Sequence, residues 1–236
     1  MIYLTGDIHG KLDKIEYYCE KYNTTKNDII IILGDTGFNY YLNGRDDKLK
    51  QKASKLPVTL FCIRGNHEER PENTGKYEEI EFQDGTAYIE HKYPNIIFAK
   101  DGEMYIMNGE KVLCIGGAYS VDKYYRIVNG YQWFSGEQLS LDEMKVIEDD
   151  ILDYLDWFGT FDYICTHTCP YNTRPLHLFL PDIDQSKVDN SMEMWLQELA
   201  NIIDFKRWYF GHFHGDWTNG KYTMLYNELI PLGESI

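Results

Sequence analysis

Five apolar runs of this chain each end in groups that can bind a metal ion or move a proton. Asp7 and His9 follow "IYLTG", Asp35 follows "IIIILG", and Asn66 and His67 follow "VTLFCIRG". His167 follows "FDYICT", and His212 and His214 follow "RWYFG". Two carboxylates, one amide and three or four imidazoles form a mixed oxygen and nitrogen donor set with no thiolate. Such a set suits Mn²⁺, Fe, Zn²⁺, Ni²⁺ or Co²⁺ better than a structural cysteine–zinc site, and it offers more donors than one ion needs. Two ions about 3.5–4 Å apart that share a carboxylate can polarise a phosphoryl group and acidify a bridging water. The residues therefore point to two-metal hydrolysis. Each stretch alone is weak, because an Asp after a strand is usually a cap and a lone His is usually structural. The inference rests on five concordant positions.

Concordance requires elements that bring the five stretches to one place. "IYLT", "IIIIL" (29–33) and "VTLFCI" (58–63) read as strands, the second and third fully buried. Between them, "KLDKIEYYCEKY" spaces Leu12, Ile15, Cys19 and Tyr22 at helical intervals, and "RDDKLKQKASKL" reads as an exposed helix. Strands alternating with helices imply parallel pairing and an α/β architecture, whose ligand sites form outside the carboxyl ends of the strands. Further on, Asn108-Gly109 and Asn219-Gly220 each sit between apolar runs and predict hairpins. Ser140 and Glu143 form a capping-box pattern opening a helix to about Trp157, and 187–203 reads as another helix. Helices mixed with parallel strands and hairpins predict two stacked sheets flanked by helices. Six of the seven histidines fall at or near one rim, where Gly6, Gly34, Gly65 and Gly211 are expected to allow tight turns.

The bulk numbers agree with an ordinary globular enzyme. At 236 residues, with no repeat or Pro/Gly linker, one domain over 1–236 is expected. A net charge of −15 disfavours a dedicated duplex nucleic-acid or anionic-membrane surface, yet permits a small anionic substrate drawn in by bound cations. Five cysteines, three of them inside apolar strands, read as reduced thiols of a cytoplasmic protein. No leader segment and no membrane-length apolar stretch is expected.

With these residues assembled, the chain resembles the calcineurin-like metallophosphoesterases. The resemblance is carried by D7-I-H9, G34-D35, G65-N66-H67-E68, H167 and G211-H212-F213-H214, in the family's order and over nearly the whole chain. It implies a four-layer fold, a β-sandwich of two mixed sheets flanked by helices, with the site at one edge. It also implies two divalent metal ions, manganese being the leading candidate. One ion would be held by Asp7, His9, Asp35 and His214, the other by Asp35, Asn66, His167 and His212, with Asp35 shared. His67 would not be a ligand but would face the phosphate as general acid or transition-state donor. Glu68 would support the site, and Glu69 and Arg70 would be solvated.

Departures from the pattern narrow the substrate. Protein Ser/Thr phosphatases of the family carry G-D-x-x-D-R-G in the second block, whereas this chain has "GDTGFN", with Phe38 and Asn39 where those enzymes have Asp and Arg. A phosphoprotein substrate is therefore disfavoured against a small phosphorylated molecule or nucleotide. Arg64 reproduces the residue before the family's G-N-H-E, and could serve structure instead of substrate. In "GGAYSVDKYYR", Ser120, Asp122 and above all Arg126 are candidates for replacement phosphate contacts beside Asn66. Arg174 and His177, in the segment after His167, are weaker candidates to overhang the site. A phosphomonoester is favoured over a diester or nucleic acid. A retromer subunit of the family keeps the fold for protein binding alone, but none of the seven ligand positions is degraded here, so hydrolysis is expected.

Overall fold

Four consecutive isoleucines need cover on both faces, and the fold supplies it. The computed structural model describes residues 1–236. In chain order its elements begin β1 (Ile2–Thr5), α1 (Asp13–Tyr22), β2 (Ile29–Ile32), α2 (Gly44–Ala53) and β3 (Thr59–Cys62). A run of five strands follows: β4 (Glu78–Phe82), β5 (Gly85–Ile89), β6 (Ile96–Ala99), β7 (Glu103–Met107) and β8 (Glu110–Ile115). The remainder is α3 (Lys123–Asn129), α4 (Leu141–Phe158), β9 (Tyr163–Thr166), α5 (Ser191–Ile202), β10 (Arg207–Phe210), β11 (Trp217–Asn219), β12 (Tyr222–Met224) and β13 (Leu229–Pro231).

The first sheet has the order β13-β1-β2-β3-β6-β5-β4 and the second β11-β12-β10-β9-β8-β7. Strands β1, β2, β3 and β6 run parallel, as do β8, β9, β10 and β12, while the outer strands are antiparallel. Side chains alternate across each strand. Ile29 and Ile31 point with Leu4, Phe61, Cys114 and Tyr209 into the core between the sheets. Ile30 and Ile32 point outward, against Leu12, Ile15 and Cys19 of the α1 region. On the far side Ile164, Trp208 and Phe210 meet Met144, Ile147 and Ile151 of α4 and Leu196 and Leu199 of α5. The result is the four-layer α/β sandwich of two mixed sheets that the resemblance implied.

Several boundaries moved. The second hairpin turns at Gly220-Lys221, one residue later than expected, because Asn219 still pairs with Tyr222. The last long helix starts at Ser191, after a 3-10 turn at Gln185–Lys187. Helix α2 is not simply exposed: Lys50 is buried, its Nζ donating to Glu90 Oε2 at 2.9 Å and Asn39 Oδ1 at 3.0 Å. The α4 capping box is present, Ser140 Oγ accepting from the Glu143 amide at 3.2 Å while Glu143 Oε2 accepts from the Ser140 amide at 2.7 Å. All five cysteines are free and buried, and no helix is long and apolar enough to cross a membrane.

Candidate metal centre

Parallel strands end on one edge, so β1, β2 and β3 deliver Asp7, Asp35 and Asn66 side by side, and β9 and β10 deliver His167 and His212 from the facing sheet. The chain turns sharply at these ends. His9, Asp35, His212 and His214 have φ of 43°, 45°, 66° and 53°. That left-handed region costs a non-glycine residue about 1–3 kcal/mol, and such strain concentrates at functional sites. The adjoining glycines serve mainly close approach and not the turn itself. A Cβ on Gly65 would lie 2.0 Å from Asp35 Oδ1 and one on Gly211 2.4 Å from Asp7 Oδ1; of the four rim glycines only Gly34 has a positive φ.

All seven candidate ligands converge. Nε2 of His214 lies 3.2 Å from Asp7 Oδ2 and 3.0 Å from Nε2 of His9, which is itself 3.8 Å from Asp7 Oδ2. On the other side, Asn66 Oδ1 lies 2.8 Å from His167 Nε2 and 3.1 Å from His212 Nδ1. Asp35 sits between, 3.9 Å from His9 Nδ1 through Oδ2 and 3.7 Å from His167 Nε2 through Oδ1. Asp7, His9 and His214 form one group able to hold a cation, and Asp7, Asp35 and His167 a second.

Hydrogen-bond arithmetic tests whether cations fit. His167 Nδ1–H donates to the Leu33 carbonyl at 2.7 Å, which leaves a lone pair on Nε2. Asn66 Nδ2 donates to Ser120 Oγ at 2.8 Å, so its Oδ1 is the atom that faces His167. Two acceptors thus meet at 2.8 Å. Protonating His167 would reconcile them, but burial pushes that imidazole below its ordinary pKa, the Asp7 carboxylate only partly opposing. Asp7 Oδ2 is buried and, although His214 Nε2 lies 3.2 Å away, makes no hydrogen bond. A bound cation satisfies both defects.

Charge is unevenly shared. Burial would raise the Asp7 carboxyl, but His214, His167 and His9 together hold it well below the usual range. Burial and the carboxylates of Asp7 and Glu68 drive Asp35 the other way. Burial lowers His9 to about 4, His212 to about 3 and His67 to about 2, the last helped by the Arg126 guanidinium; His214 is raised by its contact with Asp7. A histidine lowered on folding takes up a proton on unfolding below pH about 6.5, so its contribution is lost on acidification; raised groups act oppositely. Within the centre four lowered imidazoles outnumber the three raised groups, His214, Asp35 and Glu68. The centre of the chelator-stripped protein will therefore contribute steadily less stability from about pH 6.5 down to 4, a trend that the difference in thermal melts between wild type and a His212→Asn variant will show. A flat profile would refute the charge states assigned here.

Supporting residues hold the loops together. Glu68 is fully buried, accepting from the amides of Gly65 at 3.1 Å and Thr36 at 3.3 Å and from the Thr36 hydroxyl, so it ties the Asp35 loop to the Asn66 loop. Arg64 serves structure: it donates to Asp101 Oδ2 at 2.9 Å and to the carbonyls of Gly116, Gly136 and Glu137. Arg70 is not solvated as expected but buried, paired with Glu143 and donating to the Gly136 and Gln138 carbonyls. Asn39 binds Lys50 and the Tyr77 hydroxyl at 3.0 Å each, and Phe38 is in the core.

Arg126 does reach the centre. Helix α3, which the sequence reading missed, carries it to 3.2 Å between its Nη2 and His67 Nε2, while its Nε pairs with Asp122 at 2.8 Å. His67 Nε2 accepts that bond, and the His67 amide donates to Asp35 Oδ1 at 2.8 Å. Two clefts open on Asp35 and His67: one of 510 Å³ beside Tyr40, Arg45 and Arg126, the other of 440 Å³ under residues 174–193. Arg174 borders the second cleft, stacked on Tyr171 with its guanidinium carbon 3.4 Å from the ring centroid. His177 packs near Trp217, with ring centroids 6.3 Å apart, and borders neither cleft. Ser120, expected as a phosphate contact, instead accepts from the Asn66 amide, and Glu193 carried no signal in the sequence.

This fold and edge-located centre agree with a family comparison. The sequence model of the calcineurin-like phosphoesterases matches residues 1–216, and the chain belongs to that family. One solved crystal structure shares 14% identity at TM-score 0.55, covering 95% of this chain and 88% of its own. The protein TT1561 of Thermus thermophilus shares 12% at TM-score 0.50, covering 95% and 87%. A phosphopantetheinyl hydrolase from Mycobacterium tuberculosis shares 11% at TM-score 0.49, covering 96% and 89%. At such identities the likeness is one of fold. No curated protein matches. Family membership makes phosphoester hydrolysis supported by divalent metal the general activity of the chain.

Proposed function

We propose that this chain hydrolyses a small phosphate ester with two divalent cations, manganese first among the candidates. Asp7, His9, Asp35 and His214 would hold one and Asp35, Asn66, His167 and His212 the other. The reading is carried by the two facing acceptors, Asn66 Oδ1 and the tautomer-locked His167 Nε2, at 2.8 Å. Bound metal supplies Lewis-acid polarisation of the phosphoryl group and an acidified water. The protein supplies the rest. Arg126 and the Asn66 amide bind phosphate oxygens, and His67 lies beside them to donate toward the leaving oxygen. A phosphate that draws the Arg126 guanidinium away from His67 Nε2 also removes a cause of that imidazole's low basicity.

A monoester fits Arg126 best, since a guanidinium matches the second charge of a phosphate dianion. Arg126→Gln will lower kcat/KM on p-nitrophenyl phosphate by about tenfold to a hundredfold, the worth of a charged hydrogen bond, and on bis-p-nitrophenyl phosphate much less. Equal losses on both esters would remove Arg126 from that role. The diester reading is favoured by one observation, the two clefts meeting at Asp35 and His67. A phosphoprotein fits poorly because Asn39, at the phosphatases' arginine position, is engaged with Lys50 and Tyr77. The buried free thiols fit a reducing compartment such as the cytoplasm. Hydrolysis of the paired esters by chelator-stripped protein, before and after added Mn²⁺, tests the proposal. Turnover that needs no metal, or none with metal bound, sinks it.

A further inference from the structure

The 440 Å³ cleft falls in the range of small-molecule sites, about 300–1,000 Å³. It is continuous with the candidate centre, since Asp35, His67 and His212 border it. Much of its remaining wall is apolar, formed by Leu178, Phe179, Leu180, Ile183, Val188 and Phe213, with Asp122, Arg174, Gln185 and Asn190 among its polar members. The apolar surface begins directly beside a candidate ligand, the Phe213 ring lying 4.8 Å from the His212 ring and stacking in turn on Phe179 at 6.0 Å and 13°. Leu178 and Leu180 are 38% and 60% exposed, a cost in water that a bound apolar group would remove. The wall also holds one orphaned acceptor. Glu193 is 5% exposed; its Oε1 accepts from Thr168 Oγ1 at 2.8 Å, but its Oε2 has no partner. The cleft on the other side of His67 is the more polar of the two, with Arg45, Asp46 and Arg126 on its lining.

We infer that the substrate's ester oxygen carries an apolar arm, aromatic or branched aliphatic, which lies in this cleft against Phe179 and Phe213 while the phosphate sits at the centre. The inference rests on the phosphoesterase reading above and adds to it a substrate class: phosphates of hydrophobic alcohols or phenols, not of sugars or polyols. Burying such an arm contributes through its apolar area at about 25 cal/mol per Å², so a naphthyl group will be worth at least tenfold in affinity.

The test compares methylphosphonate with 1-naphthylmethylphosphonate, neither hydrolysable, binding to the Mn²⁺-loaded protein by calorimetry. The naphthyl compound is expected to bind at least tenfold tighter. Phe179→Ala and, separately, Val188→Asn will shrink that ratio threefold or more and leave methylphosphonate binding unchanged. Equal affinities, or a preference that survives both substitutions, overturn the inference. Hydrolysis of p-nitrophenyl phosphate measured on the same preparation separates the two claims. Turnover without a naphthyl preference removes the arm and keeps the phosphoesterase; a preference without turnover does the reverse. Failure to bind either phosphonate overturns the arm as well.

Discussion

Asp35→Asn will lower kcat/KM on an aryl phosphate by on the order of 10³-fold, several kcal/mol of transition-state stabilisation, and will make the chelator-stripped protein more stable. The two effects share one cause. Asp35 lies between the His9–His214 side and the Asn66–His167 side of the centre, so one carboxylate faces both candidate cation positions. Without cations the same carboxylate is buried near Asp7 and Glu68, and burial and those two charges oppose its ionisation. An amide of equal size keeps an oxygen for the His67 backbone N–H and removes the repulsion. A gain of about 0.5–2 kcal/mol is typical where a functional site stores such strain. Activity assays with Mn²⁺ and melts in chelator will show the opposite signs. A variant as active as wild type would discard the shared-carboxylate role.

His67→Ala has the next largest effect, a fall in kcat of about 10²–10⁴-fold, the usual worth of a positioned proton donor. Metal binding is expected to survive, because the contact with Asp35 Oδ1 is made by the His67 backbone amide and alanine retains it. The pH dependence is distinctive. Burial and Arg126 hold the free protein's His67 at about 2, so kcat/KM of the wild type will show no inflection from this residue between pH 5 and 8. Arg126→Gln lifts one cause of that depression and will move the His67 titration upward. If His67→Ala weakens Mn²⁺ binding as much as it slows turnover, the imidazole is a ligand and not a donor.

How much of this was legible in the chain depends on the range of the interactions involved. Residues 2–5, 29–33 and 58–63 were legible as strands because burial on both faces demands continuous apolar runs, and their ends carried Asp7, Asp35 and Asn66. The α4 cap and the Asn108-Gly109 turn were legible because each is a local hydrogen-bond or dihedral requirement. Strands β4, β5 and β6 were not read. "EEIEF" is an edge strand whose charges face water, and its turn uses Gln83 and Asp84 at φ 52° and 63°. Helix α3 was missed for a related reason: none of its residues is buried, so it has no apolar periodicity to read.

The sequence by itself determined the donor set, its placement at strand ends, and so the class of chemistry, because those follow from residue type and from parallel pairing. Tertiary structure decided what each polar residue is for. Arg64, Arg70 and Arg126 are alike in sequence, yet carbonyls and carboxylates saturate the first two while the third reaches His67. The tautomer of His167 is set by the Leu33 carbonyl, 134 residues away, and the direction of the Asn66 amide by Ser120, 54 residues away. The apolar cleft also depends on distant partners, Phe179 stacking on Phe213. A hydrogen bond or a ring stack needs two groups within a few ångströms, and only the folded chain brings such residues that close.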